Sequence, residues 1–166
     1  TGGFGATDLA GNGATLVDNT NVTFDVASAT VTLTTPAGGS VVNAPTVVYT
    51  LNETVQSGNI VFTRTGGTAD VGSPHTYAMI STDMTATTHT VNTGLVLVDG
   101  SVYTVSVENV IDLAGNATSA VQNVNVTYDV TAVAITAVTP TASSVMSAPV
   151  VSYSLSEQIQ SGGITF

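Results

Sequence analysis

The chain contains no cysteine, no tryptophan and no lysine. Without cysteine there is no disulfide framework, no thiolate metal site and no cysteine nucleophile. A single basic side chain, Arg64, stands against eleven acids in 166 residues, giving a net charge of -10. A surface of that sign cannot neutralise nucleic-acid phosphates, and it offers no basic patch to anionic lipid. Charged residues of both signs make up only 7%, against about 25% in ordinary soluble domains. No apolar run reaches the length of a membrane span, so direct membrane insertion is not expected of this segment. What remains is 43% hydrophobic, enough for a buried core rather than a disordered chain. Thr and Val supply about a third of the residues, and their branched β-carbons favour a pleated sheet over a helix. The expectation is an acidic, all-β, non-enzymatic module.

Internal self-similarity sets the organisation. TDLAGN at 7–12 returns as IDLAGN at 111–116, and NVTFDV at 21–26 returns as NVTYDV at 125–130. The pattern AP-x-V-x-Y-x-L-x-E, followed by QSG, starts at 44 and again at 148. Each pair is separated by 104 residues, and roughly half the positions of 25–62 and 129–166 are identical without a gap. This predicts a tandem array of period 104. Residues 1–25 read as the C-terminal strands of a preceding repeat, 26–129 as one complete repeat, and 130–166 as the N-terminal strands of a following one. Neither flank has enough strands to close a sandwich alone, so the sequence reads as a window of a longer protein.

Alternating apolar and polar positions, bounded by Gly, Pro, Asn or Asp, predict seven strands in the complete repeat. They fall at about 29–35, 45–52, 58–64, 75–80, 87–93, 101–109 and 118–128. Val47, Tyr49 and Leu51 are expected inward, as are Ile60 and Phe62, then Tyr103, Val105 and Val107, then Val124, Val126 and Tyr128. Arg64 is expected to leave the core at the rim. No segment reads as a helix. Seven short strands in about 100 residues fit an immunoglobulin-like β-sandwich, with a jelly roll or barrel as the other all-β reading. Leu97-x-x-Gly100-x-x-Tyr103-x-Val105 resembles the tyrosine corner of such sandwiches.

The strand Y-x-L-x-E, the D-L-A-G-N loop and the Y-D dipeptide before the next repeat together resemble the bacterial immunoglobulin-like repeats. Those repeats build large surface adhesins and extracellular fibrous proteins, and the resemblance covers the whole chain. The family's linker reads D-x-T-A-P. Here it reads Asp25-Val-Ala-Ser-Ala and Asp129-Val-Thr-Ala-Val, without the proline. The resemblance implies an extracellular or cell-surface location, neighbouring repeats as partners, and a structural spacer role.

In an immunoglobulin-like sandwich the start of the first strand, the loop after the second and the loop after the sixth share one pole. That places Asp25, Glu53, Asp112 and Asn116 together, an all-oxygen donor set suited to a hard cation. Calcium fits better than magnesium because loop ligands tolerate irregular geometry and high coordination number. Asp8 and Asn12 belong to the preceding repeat and Asp129 and Glu157 to the following one, as half-sites of the same kind. In the family that this sequence resembles, similar acids clamp calcium between neighbouring domains. The alternative is that D-L-A-G-N is a plain turn, its Asp and Asn bonding their own backbone.

His75 and His89 are the general-base candidates near neutral pH, and both fall in predicted strands without a nucleophile pattern nearby. Asp70, Asp83 and Asp99 fall in predicted loops and read as turn formers. Thr65-Gly-Gly-Thr lacks the lysine and following helix of a phosphate loop. Asn21, Asn52, Asn116 and Asn125 head N-x-S/T sequons, which Thr-rich sequences also produce by chance. Sheet edges without lysine lack their usual protection against edge-to-edge pairing. Two other readings therefore stay open beside the spacer: a self-assembling extracellular filament of identical chains joined by strand addition, and a glycan- or partner-binding adhesin module.

Overall fold

A computed structural model describes residues 6–15, 20–148 and 150–165. Ten strands follow one another: β1 (Val31–Thr35), β2 (Val41–Val42), β3 (Thr46–Leu51), β4 (Val55–Gly67), β5 (His75–Ala78), β6 (Thr88–Asn92), β7 (Ser101–Asp112), β8 (Val121–Tyr128), β9 (Ile135–Thr139) and β10 (Ser152–Leu155). One 3₁₀ turn, Ser81–Asp83, separates β5 from β6. The first eight strands form two sheets, ordered β1-β3-β6 and β2-β8-β7-β4-β5. All-β architecture with a sandwich-like pairing of sheets is what the strand pattern predicted. The predicted boundaries shift by a few residues: β4 and β7 are longer, β8 starts at Val121 rather than 118, and the two-residue β2 was not anticipated.

Periodicity explains the core. Along β3 the burial alternates residue by residue, putting Val47, Tyr49 and Leu51 inside. Ile60 and Phe62 of β4 and Tyr103, Val105 and Val107 of β7 meet them across the sandwich in one cluster. Fully burying each such side chain contributes on the order of 1.5–3 kcal/mol. β7 lies at the centre of its sheet, antiparallel to β4 on one side and β8 on the other. β2 pairs with β8 in parallel, Val41 beside Thr127 and Val42 beside Tyr128. Gly39 N–H donates to Val124 O, Thr127 N–H to Ser40 O and Asp129 N–H to Val42 O, extending that contact at both ends.

One inward assignment is corrected. Val124 is 45% exposed, whereas Val126 is 1% exposed. Tyr103 pairs with Val126 and Val105 with Asn123, so Val124 and Asn125 together oppose the single residue Thr104. This is a β-bulge, closed by Asn125 at φ 58°. An extra residue reverses the facing of everything before it. Asn123 therefore turns inward in place of Val124, and its amide nitrogen donates to Pro36 O at 2.7 Å and Leu33 O at 3.4 Å. Simple alternation has no term for such an insertion.

The tyrosine corner is present. The Tyr103 hydroxyl accepts the Val98 N–H at 3.0 Å and donates to Asp70 Oδ2 at 2.7 Å. His75 Nε2 lies 2.6 Å from the same carboxylate oxygen. Arg64 folds over the end of its own strand, donating to Gly67 O and Thr68 O.

Features of residues 6–53 recur 104 residues later. Asp8 N–H donates to Asn12 O as Asp112 N–H does to Asn116 O. Thr7 bridges Gly13 as Ile111 bridges Ala117. β9 and β10 pair Ile135 with Leu155 and Thr136 with Ser154, as β1 and β3 pair Val31 with Leu51 and Thr32 with Thr50.

Candidate functional site

The chain enters and leaves the two-sheet unit of β1–β8 at opposite ends of β7. At one end the Asn116 side-chain nitrogen donates to Asp25 O and Ala27 O, both at 3.3 Å, and Thr118 Oγ1 donates to Ala29 O at 2.7 Å. At the other end Asp99 accepts the Val130 N–H at 2.8 Å and the Thr131 hydroxyl at 2.6 Å. Twelve residues of β7 separate these ends, a span of roughly 40 Å at the rise of a strand.

Asp112 closes β7 and turns the chain. Its Oδ1 accepts the N–H groups of Ala114 and Asn116, both at 2.8 Å, and its Oδ2 accepts the Asn116 amide at 2.9 Å. Gly115 holds φ 96°, a left-handed conformation that a side chain would strain. Burial alone would raise the Asp112 carboxyl, but these donors together with the Gly115 N–H hold it below the usual carboxylate range. The carboxylate is fully buried, so the chain keeps an ionised acid inside by surrounding it with N–H donors.

Asp25, Glu53 and Asp112 each place a ligand atom within 4.8 Å of the others. They come from the linker, the β3–β4 turn and the end of β7. Among the described residues this is the one group of three acids or imidazoles so gathered. Asp112 is buried, Glu53 half-buried and Asp25 exposed, so the cluster opens toward solvent on the linker side. Asp112 Oδ2 accepts the Asn116 amide. Asn116 acts through its nitrogen as a strut between the turn and the linker, a role its residue type alone did not reveal. The turn reading and the acid cluster therefore coexist: Asp112 both ties the D-L-A-G-N loop and faces two further carboxylates.

The other expected positions fall into two groups. Asp8 and Asn12 repeat the Asp112–Asn116 turn, with Asp8 Oδ1 accepting the N–H groups of Ala10 and Asn12 and Oδ2 accepting the Asn12 amide. Asp129 and Glu157 lie together beyond β8, and the Glu157 carboxyl is raised by burial and by the neighbouring charges of Asp129 and Asp99. Asp99 is the residue missed. It was read as a turn former, yet it joins the acids at the second junction, and hydrogen bonds from Thr131 and Val130 outweigh burial and lower its carboxyl. Its position just before β7, at the pole where the chain leaves, was the available signal.

His89 serves the fold, its Nε2 lying 2.8 Å from Thr85 O. No family model matches the sequence, and neither a curated protein nor a solved structure shows significant similarity to it.

Proposed function

We propose that the chain is a segment of a structural spacer, built of immunoglobulin-like repeats joined end to end in an exported surface adhesin or extracellular fibre. The sheet orders, the bulged last strand and the tyrosine corner support the immunoglobulin-like reading. The recurrence of turns and strand pairings at a spacing of 104 residues supports the array. The observation that carries the proposal is polar: the chain enters at one end of β7 and leaves at the other, and each end gathers acids. Units linked in that way add length rather than bulk.

Calcium at the junctions completes the reading. The donor set of Asp25, Glu53 and Asp112 is all carboxylate oxygen within 4.8 Å, a hard-cation environment without nitrogen or sulfur. Bound there, the ion would remove the repulsion among three acids and tie the linker to the body of the repeat. The acids of residues 25–128 number seven against one Arg, so successive units repel unless their joint is neutralised.

Thermal unfolding of the 166-residue chain with calcium and with chelator tests this. An ion at about 100 times its dissociation constant stabilises by about 2.7 kcal/mol, a rise of roughly 10 °C or more for a domain of this size. Asp112→Asn keeps an oxygen for the Ala114 and Asn116 N–H groups and should abolish the rise. An unchanged midpoint with calcium would refute the clamp and leave a turn.

A further inference from the structure

The outer face of β8 carries a motif that the spacer role leaves unused. Of the N-x-S/T sequons, the one at Asn125 recurs at the spacing of 104: Asn125-Val-Thr127 repeats Asn21-Val-Thr23. The other two do not recur. Asn52-Glu-Thr54 stands as Ser156-Glu-Gln158 in the following copy, and Asn116-Ala-Thr118 as Asn12-Gly-Ala14 in the preceding one.

The structure separates the sequons by what their amides do. The Asn116 side-chain nitrogen donates to Asp25 O, Ala27 O and Asp112 Oδ2, so a substituent on it breaks the strut to the linker. Asn52 Oδ1 accepts the Thr30 N–H at 2.6 Å and is held in its turn. In β8 it is Asn123 that turns inward to bond Leu33 O and Pro36 O. Asn125 is exposed, and among the described residues its side chain enters no hydrogen bond. The bulge sets it beside Val124, 45% exposed, and inside the strand rather than at either pole. Its φ of 58° explains an asparagine at this position. That backbone does not call for a hydroxyl two residues on, which both copies also have.

We propose that Asn125 carries an N-linked oligosaccharide. The donor is an oligosaccharide on a polyprenyl pyrophosphate, and a transferase outside this chain brings it. Asn125 Nδ2 attacks C1 of the first sugar. The N–C1 bond forms, the C1–O bond breaks, the nitrogen gives up one proton and the pyrophosphate leaves with the bonding pair. The inference rests on the export contained in the spacer reading, since the attachment takes place on chains that cross a membrane. It also gives the sugar a task. β8 is the neighbour of the edge strand β2, and sheet edges are commonly guarded by charge, above all lysine, which this chain lacks. A bulky sugar on Asn125 blocks by volume what charge blocks elsewhere: the approach of a further strand to β2.

Peptide mass mapping of the protein from the cells that make it tests this, with fragmentation that keeps sugars attached. The expected result is a sugar mass on Asn125 and none on Asn116. Thr127→Val made in the same cells keeps Asn125 in its left-handed conformation and should lose the added mass; Asn125→Asp, which suits that conformation equally, should lose it too. Enzymatic removal of the sugar should speed aggregation of the purified protein, read by light scattering in chelator. A bare Asn125 in protein from the medium or the cell surface would overturn the proposal and leave the spacer standing. So would added mass that survives Thr127→Val. Recovery from the cell interior alone would remove the export on which both readings depend, and aggregation unchanged by removing the sugar would overturn its role at the edge.

Discussion

Replacing Tyr103 by phenylalanine removes one oxygen and tests how the segment before β7 is held. The ring stays in the core against Phe62, 6.1 Å between centroids in an edge-on arrangement, so no cavity opens. The loss is the hydroxyl that accepts the Val98 N–H and donates to Asp70 Oδ2. A half-buried N–H left without its acceptor costs about 2 kcal/mol, which in a domain of about 100 residues lowers the melting temperature by roughly 10 °C. The pH dependence separates this from a packing defect. The Tyr103 hydroxyl is the largest cause of the lowered Asp70 carboxyl, working against burial and helped by His75 and the Gly72 N–H. A carboxyl whose folded value lies below its unfolded value of about 3.9 contributes stability above that pH and loses it as pH falls through the folded value. Tyr103→Phe removes the largest part of the depression, so its deficit should be largest near neutral pH and should narrow below about pH 4. Differential scanning calorimetry between acid and neutral pH reads both quantities. Tyr128→Phe, which leaves the corner untouched, is the control. A midpoint unchanged by Tyr103→Phe, or a deficit of constant size at every pH, would refute the reasoning.

The bulge makes a paired prediction. Val124→Glu should move stability by no more than about 0.5 kcal/mol, as surface changes do, while Val126→Ala should cost about 2 kcal/mol through lost burial; chemical denaturation distinguishes them. Trypsin should leave the folded chain intact, because its one site, Arg64, lies within β4 beside β7. Cleavage there should follow global unfolding, and the Tyr103→Phe chain should be cut about thirtyfold faster if it is about 2 kcal/mol less stable. Gel densitometry of a time course measures it.

Seven of the eight strands from β1 to β8, the core faces of β3, β4 and β7, and the tyrosine corner were legible because each rests on local pattern. Val47, Tyr49 and Leu51 alternate, and Leu97, Gly100 and Tyr103 stand at a spacing that means one thing in a sheet. The meeting of Asp25, Glu53 and Asp112 was legible only through topology, since it joins residues far apart in sequence. What escaped reading was whatever depends on a single inserted residue or on which atom of a side chain is used. Val124 was misplaced because the Asn125 bulge breaks period two, and the bonds from the Asn116 side-chain nitrogen to the linker were not foreseen. Asp99 escaped because Asp-Gly before a strand reads as a turn, which it also is. Asp70 and His75 likewise read as separate loop and strand residues until the fold brought both to Tyr103.

The parallel contact between β2 and β8 has a mechanical meaning. β2 belongs to the stretch that follows the chain's arrival in the two-sheet unit, and β8 is the last strand of that unit. Tension applied through the two linkers pulls these neighbours past each other along their length. The bonds from Gly39 to Val124, Thr127 to Ser40 and Asp129 to Val42 are then strained together instead of opening one after another. A unit wired in this way resists rupture up to a force set by several bonds at once and then yields abruptly. In a stretched array, such units would act as a series of identical fuses, each holding its length until its own latch fails.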